Sequence, residues 1–207
     1  MKKYLDLESW PRRPHFDFFR KFDEPFFGVC VDIDCSKAYA KCKAEGYSFF
    51  LYYLHKSISA VNAIEAFRYR IDGDQVIIHD RIDASSTINR EDGTFGFSYI
   101  RFEKDFDDFV KIAAKEIERV RANSDLTPAE AGDHVIHYSS LPWIKFTSLS
   151  HARKFHIQDS VPKISFGKMT TEHGKKIMPV AIHLHHALAD GYHLGQHIEL
   201  FQELMNE

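Results

Sequence analysis

The chain has 207 residues, with 27 Lys and Arg against 30 Asp and Glu, for a formal net charge of -3. That balance gives no electrostatic case for nucleic acid or an anionic membrane, and no apolar run approaches the ~20 residues that span a bilayer. The length suits a single domain over residues 1–207 with a sizeable core, and 18 Phe and 9 Tyr make that core aromatic.

Asp6 and Glu8 follow closely on Lys2 and Lys3, too early for a signal peptide. Cys30, Cys35 and Cys42 are an odd count, and their spacings of five and seven match no zinc pattern. These features predict a cytoplasmic protein with reduced thiols.

In chain order, a Pro-punctuated lead-in (10–16) runs into an aromatic stretch (16–22) read as one or two helical turns. Residues 26–34 are rich in Phe, Val and Ile and predict a strand. Asp34 or Ser36 offers an N-cap, and Gly46 a stop, for a helix over 37–45. Ser48 begins another, with Leu51, Leu54, Ile58 and Val61 on one stripe. Strand patterns at 67–71 and 75–79 flank Asp72-Gly73-Asp74, a tight hairpin turn. A strand is expected at 94–101. A helix follows, with Phe106, Phe109, Val110, Ala113, Ile117 and Val120 forming its apolar stripe.

Residues 123–132 read as a turn-rich link. Short strands are expected at 135–139, 143–146 and 163–169, then a turn at 172–175 into a final strand over 177–186. Leu194, Ile198, Phe201 and Leu204 or Met205 give the last helix its period. Interspersed strands, helices and hairpins predict an α/β fold, a two-layer sandwich with a mixed β-sheet.

The chemistry concentrates at His183-Leu-His185-His186-Ala-Leu-Ala-Asp190-Gly191. Strand alternation puts His186 with Val180, Ile182 and Leu184, and turns His183 and His185 the other way. A histidine titrates near neutral pH, and apolar surroundings favour its uncharged, proton-accepting form. Taken alone, His186 also reads as a core histidine paired with backbone, and Asp190 as the N-cap of the last helix.

Two other readings start from the same residues. His193 and His197, at i and i+4, suit zinc ligation, but His183 and His185 project away from His186 and no carboxylate completes a set. A Ser-His-Asp hydrolase lacks a Gly-x-Ser-x-Gly elbow to expose its nucleophile.

The segment from His185 to His193 resembles the signature of acyltransferases that use coenzyme A thioesters, most closely the chloramphenicol acetyltransferase family. Four more segments resemble that family in order. They are Trp10-Pro-Arg12-Arg13-Pro-His15-Phe16; Thr94-Phe95; Ser139-Ser-Leu-Pro142-Trp143-Ile-Lys-Phe146-Thr-Ser; and Pro162-Lys-Ile-Ser165-Phe-Gly167-Lys168. Together they span almost the whole chain.

The resemblance implies acetyl transfer from acetyl-CoA to a hydroxylated acceptor, with no metal. It implies His186 as general base, Ser139 rather than Ser140 as oxyanion donor, and an Asp190–Arg12 pair that fixes the turn. Ser165 would help the transition state through water, Lys168 would meet coenzyme A, and Phe18, Phe19, Phe95 and Phe97 would line the acceptor pocket. It further implies a homotrimer with sites between subunits.

The chain departs from the family pattern at Ala189 (commonly Cys), Met169 (commonly Tyr) and Phe97 (often small), and over 47–51 and 123–133. Chloramphenicol is the first expected acceptor and another alcohol the second. A binding protein without turnover is disfavoured, because binding alone needs no poised base.

Overall fold

The computed structural model describes residues 3–126, 132–154 and 157–207. Residues 127–131 of the expected link lie outside it. The short strand β1 (Lys3–Tyr4) leads to α1 (Arg13–Phe19), a two-turn helix with Pro14 in its first turn, where a missing N–H costs nothing. The long strand β2 (Phe26–Asp34) matches the sequence reading.

Helix α2 (Ser36–Glu45) ends at Gly46, whose φ of 73° suits glycine. Cys35 occupies its N-cap position, while the Asp34 carboxylate accepts from the Ser36 N–H at 2.9 Å. Helix α3 (Phe49–Ala63) starts where the sequence places it, capped by the Ser48 hydroxyl accepting from the Leu51 N–H.

Strands β3 (Tyr69–Asp72) and β4 (Gln75–Ile78) form the expected hairpin, with Gly73 at φ 61°. Residues 65–68, however, are a 3-10 turn, so the first of these strands starts two residues late. With β1, the hairpin makes a separate three-stranded sheet in the order β1-β4-β3.

The main sheet continues with β5 (Asp83–Asn89) and β6 (Phe95–Phe97). The sequence pattern predicts no strand at β5, and the strand expected at 94–101 shrinks to β6 plus one bridge between Ile100 and Ala84. Helix α4 (Phe106–Ala122) buries Phe109, Ala113 and Val120 and is capped by Asp105. Strands β7 (Val135–Ser140), β8 (Lys163–Phe166), β9 (Thr170–Glu172) and β10 (Lys175–His185) precede α5 (Gly191–Met205).

Residues 143–146 form no strand. Trp143 is 66% exposed, and the chain turns there with the Ile144 N–H donating to the Leu141 carbonyl at 3.1 Å. Pro142 offers no N–H to a sheet ladder.

The main sheet runs β2-β10-β8-β7-β5-β6, with β9 also on β10. It is mixed: β7 is parallel to β5 and β8, and the other pairs are antiparallel. Val180, Ile182, Leu184, Ile164, Phe166, Ile136 and Tyr138 enter one core with Leu54, Ile58, Leu194 and Phe201 from the helices. Each fully buried side chain of this size stabilises the fold by about 2 kcal/mol. The predicted two-layer sandwich is therefore observed. The second sheet face carries Ala181, His183, His185, Lys163, Ser165 and Ser139 by alternation, under part of the β7–β8 connection. There the His183 Nε2 lies 3.1 Å from the Leu149 carbonyl.

Candidate active site

His186 follows the last residue of β10, and its N–H still donates to the Pro25 carbonyl at 2.8 Å. The ring lies on the side the alternation predicted, between Phe19 (centroids 4.1 Å apart, planes 10° apart) and Phe27 (4.4 Å). Its Nδ1 is 3.2 Å from the Ala189 carbonyl oxygen. A carbonyl can only accept, so this bond puts the proton on Nδ1 and leaves Nε2 with a free lone pair. That is the tautomer a general base needs.

The neighbouring histidines are not equivalent. His185 is 4% exposed, its Nδ1 accepts from the Ala187 N–H at 3.3 Å, and its ring meets Phe26 edge-on. Burial pushes it down to about 4.

Arg12 and Asp190 form an ion pair, joining the N-terminal motif to the turn after β10. A second Arg12 nitrogen donates to the His186 carbonyl at 3.3 Å, so one guanidinium grips both the Asp190 carboxylate and the His186 backbone. Asp190 also caps α5, accepting from the Tyr192 N–H at 3.0 Å, and its Oδ1 is 2.9 Å from His193 Nδ1. Partial burial would raise its carboxyl, but the charges of Arg12 and His193 outweigh that and hold it below the usual value. The helix-cap reading and the ion-pair reading of Asp190 thus describe one side chain.

Ser139 lies elsewhere. It pairs with Ser165 of β8, Ser165 with Ala181 of β10, and Ala181 with Cys30 of β2, a row of four on the second face. His186 is two strand spacings across and five residues along from Ser139, roughly 19 Å away. Within one chain the two side chains cannot meet.

Ser165 is fully buried, and its hydroxyl has no partner among the described residues. Phe95 and Phe97, 5.6 Å apart, sit on β6 at the Ser139 end of the sheet, while Phe18 packs edge-on against Phe19 at the His186 end. Lys168 is exposed after β8. The candidate residues therefore fall into two half-sites.

In the sequence Phe27 is legible only as part of a strand. Its place opposite Leu184 in the β2–β10 pair brings it to His186, a register that sequence alone does not give. His197 is fully buried and stacks on Phe67, and among the described residues it and His193 belong to no group of three or more side chains placed to hold a metal ion. The cysteines are free thiols.

A strand-end histidine with one ring nitrogen held and the other open has the form that can take a proton from an attacking hydroxyl. The fold, and the relatives that share it, are those of an acyltransferase. The family model for chloramphenicol acetyltransferase matches residues 2–202. A chloramphenicol acetyltransferase of Bacillus pumilus is 31% identical over 207 residues, covering 99% of this chain and 94% of the relative. Chloramphenicol acetyltransferase 3 of Escherichia coli is 27% identical, covering 98% of this chain and 96% of its own length. A solved chloramphenicol acetyltransferase superposes with a TM-score of 0.92 at 32% identity, covering 99% of this chain and all of the other. A probable dihydrolipoamide acetyltransferase from Listeria monocytogenes, at 15% identity and a TM-score of 0.69, shares the fold. The chain belongs to the chloramphenicol acetyltransferase family.

Proposed function

We propose that this enzyme moves the acetyl group of acetyl-CoA to a hydroxyl of chloramphenicol, inactivating the antibiotic, as a cytoplasmic single-domain homotrimer. His186 Nε2 accepts the hydroxyl proton as the oxygen attacks the thioester carbon. The Ser139 hydroxyl donates to the tetrahedral oxyanion, and Ser165 supports it through water. The carbon–sulfur bond then breaks, and His186 returns the proton to the departing thiolate of coenzyme A. Positioning and proton transfer of this kind need no enzyme nucleophile.

The observation that carries this reading is the His186 ring, fixed through Nδ1 with Nε2 open. The separation of Ser139 from His186 supports a site completed by a second copy, since each chain then offers one half to each neighbour. Lys168, exposed after β8, meets coenzyme A.

Thiol release from acetyl-CoA, followed with and without chloramphenicol, tests the proposal. Release that depends on chloramphenicol is expected. Release only with other alcohols would favour a second reading, in which the machinery is kept and Phe97, standing where a small residue is common, reshapes the acceptor pocket.

A further inference from the structure

Ser139 lies between Tyr138 and Ser140, and alternation turns it away from both. Tyr138 and Ser140 face α3, and each is held there by a hydroxyl pair. The Tyr53 hydroxyl lies 3.1 Å from Ser140 Oγ, and Ser57 Oγ lies 3.1 Å from the Tyr138 hydroxyl. Tyr53 and Ser57 are one helical turn apart, about 6 Å along the axis, and Tyr138 and Ser140 are about 6.8 Å apart along the strand. The spacings match, so the pairs act as two rungs that bracket Ser139.

The rungs are packed against the core. Ser57 is fully buried, and Tyr138 and Tyr53 are nearly so. Both tyrosine rings pack on Phe166, at centroid distances of 5.8 Å and 4.5 Å. Burial pushes the Tyr53 hydroxyl up to about 12 and the Tyr138 hydroxyl in the same direction, so both keep their protons at working pH. The Ser139 hydroxyl, in contrast, takes no hydrogen bond from the described residues. Its place is set by the strand backbone, which the ladder to β8 holds in register and the two hydroxyl pairs tie to α3.

We infer that Tyr53 and Ser57 are positioning residues for Ser139, fixing the height and twist of β7 from which its hydroxyl meets the oxyanion. The inference rests on Ser139 being the oxyanion donor. A donor of this kind is useful only over a narrow range of distance, and a displacement of ~1 Å can cost up to ~100-fold in rate. A small relaxation of β7 should therefore appear in turnover before it appears in binding.

The test uses Tyr53→Phe, which keeps the ring and removes only the hydroxyl, with Ser57→Ala as an independent second variant. Each should lower kcat about tenfold and leave KM for acetyl-CoA and for chloramphenicol within about twofold, the split expected of misplaced transition-state contacts. In a Ser139→Ala background, neither should lower kcat further. An unchanged kcat in both variants, or the same tenfold loss with Ser139 already removed, would overturn the inference even though Ser139→Ala alone is impaired. Full activity in Ser139→Ala would instead remove the oxyanion role, and the inference with it.

Discussion

Arg12 and Asp190 stand 178 residues apart in sequence, and their ion pair closes the chain's two ends around the turn that carries His186. The pair is part-buried, and the same guanidinium reaches the His186 carbonyl. Asp190→Asn and Arg12→Ala should each cost about 2 kcal/mol of stability, the scale for a hydrogen bond to a charged group, and each should lower turnover. In a double-mutant cycle followed by denaturant unfolding, the two effects should be strongly non-additive. Strict additivity would leave Asp190 a helix cap and nothing more.

Removal of the base separates two adjacent histidines. His186→Ala should lower kcat by about two to four orders of magnitude, the usual worth of a positioned general base. His185→Ala should do far less, since its ring is buried on the other sheet face against Phe26. Steady-state kinetics of the two variants side by side check this, and equal losses would mean the register is wrong.

Stability should fall on mild acidification. His197 is fully buried, and burial pushes it down to about 4, well below an ordinary histidine. An unfolded chain takes up that proton near pH 6.5, but the folded chain does not, so the contribution is complete above about pH 6.5 and is lost as pH falls towards 4. Between pH 7.5 and 5 this one group should remove about 2 kcal/mol. His197→Phe, which keeps a ring against Phe67, should make the fall in melting temperature over that range shallower, while His185, pushed down in the same way, keeps its own share. An unchanged pH profile would place the acid sensitivity elsewhere.

Much of the helical layer was legible in the sequence because its apolar stripes are clean, as in α4 and in the Leu51–Leu54–Ile58–Val61 face of α3. Strand β5 was missed because Asp83-Ala-Ser-Ser-Thr-Ile-Asn89 reads as polar. Its burial works because the Asp83 carboxylate accepts from Arg81, the Tyr99 hydroxyl and the Phe102 N–H, while Ser98 bonds Ser86. Apart from Arg81, these partners lie 12 to 19 residues away, beyond the reach of any local pattern. The segment 143–146 failed in the opposite way, its aromatic and branched residues giving a strand pattern where Pro142 and a turn hold the chain out of the sheet. At the site, the motif named the residues, but only strand register shows that Ser139 and His186 stand at separate ends of one sheet.

That separation is the claim most open to direct test. His186→Ala and Ser139→Ala preparations should each be severely impaired, the second by about 3 kcal/mol of lost oxyanion stabilisation. Unfolded together in equal amounts and refolded, they should form mixed trimers in which roughly a quarter of interfaces join an intact His186 to an intact Ser139. The measurement is the acetylation rate of that refolded mixture. Recovery to about one quarter of the unaltered enzyme is predicted, whereas mixed trimers as inactive as either parent would contradict a site shared between chains.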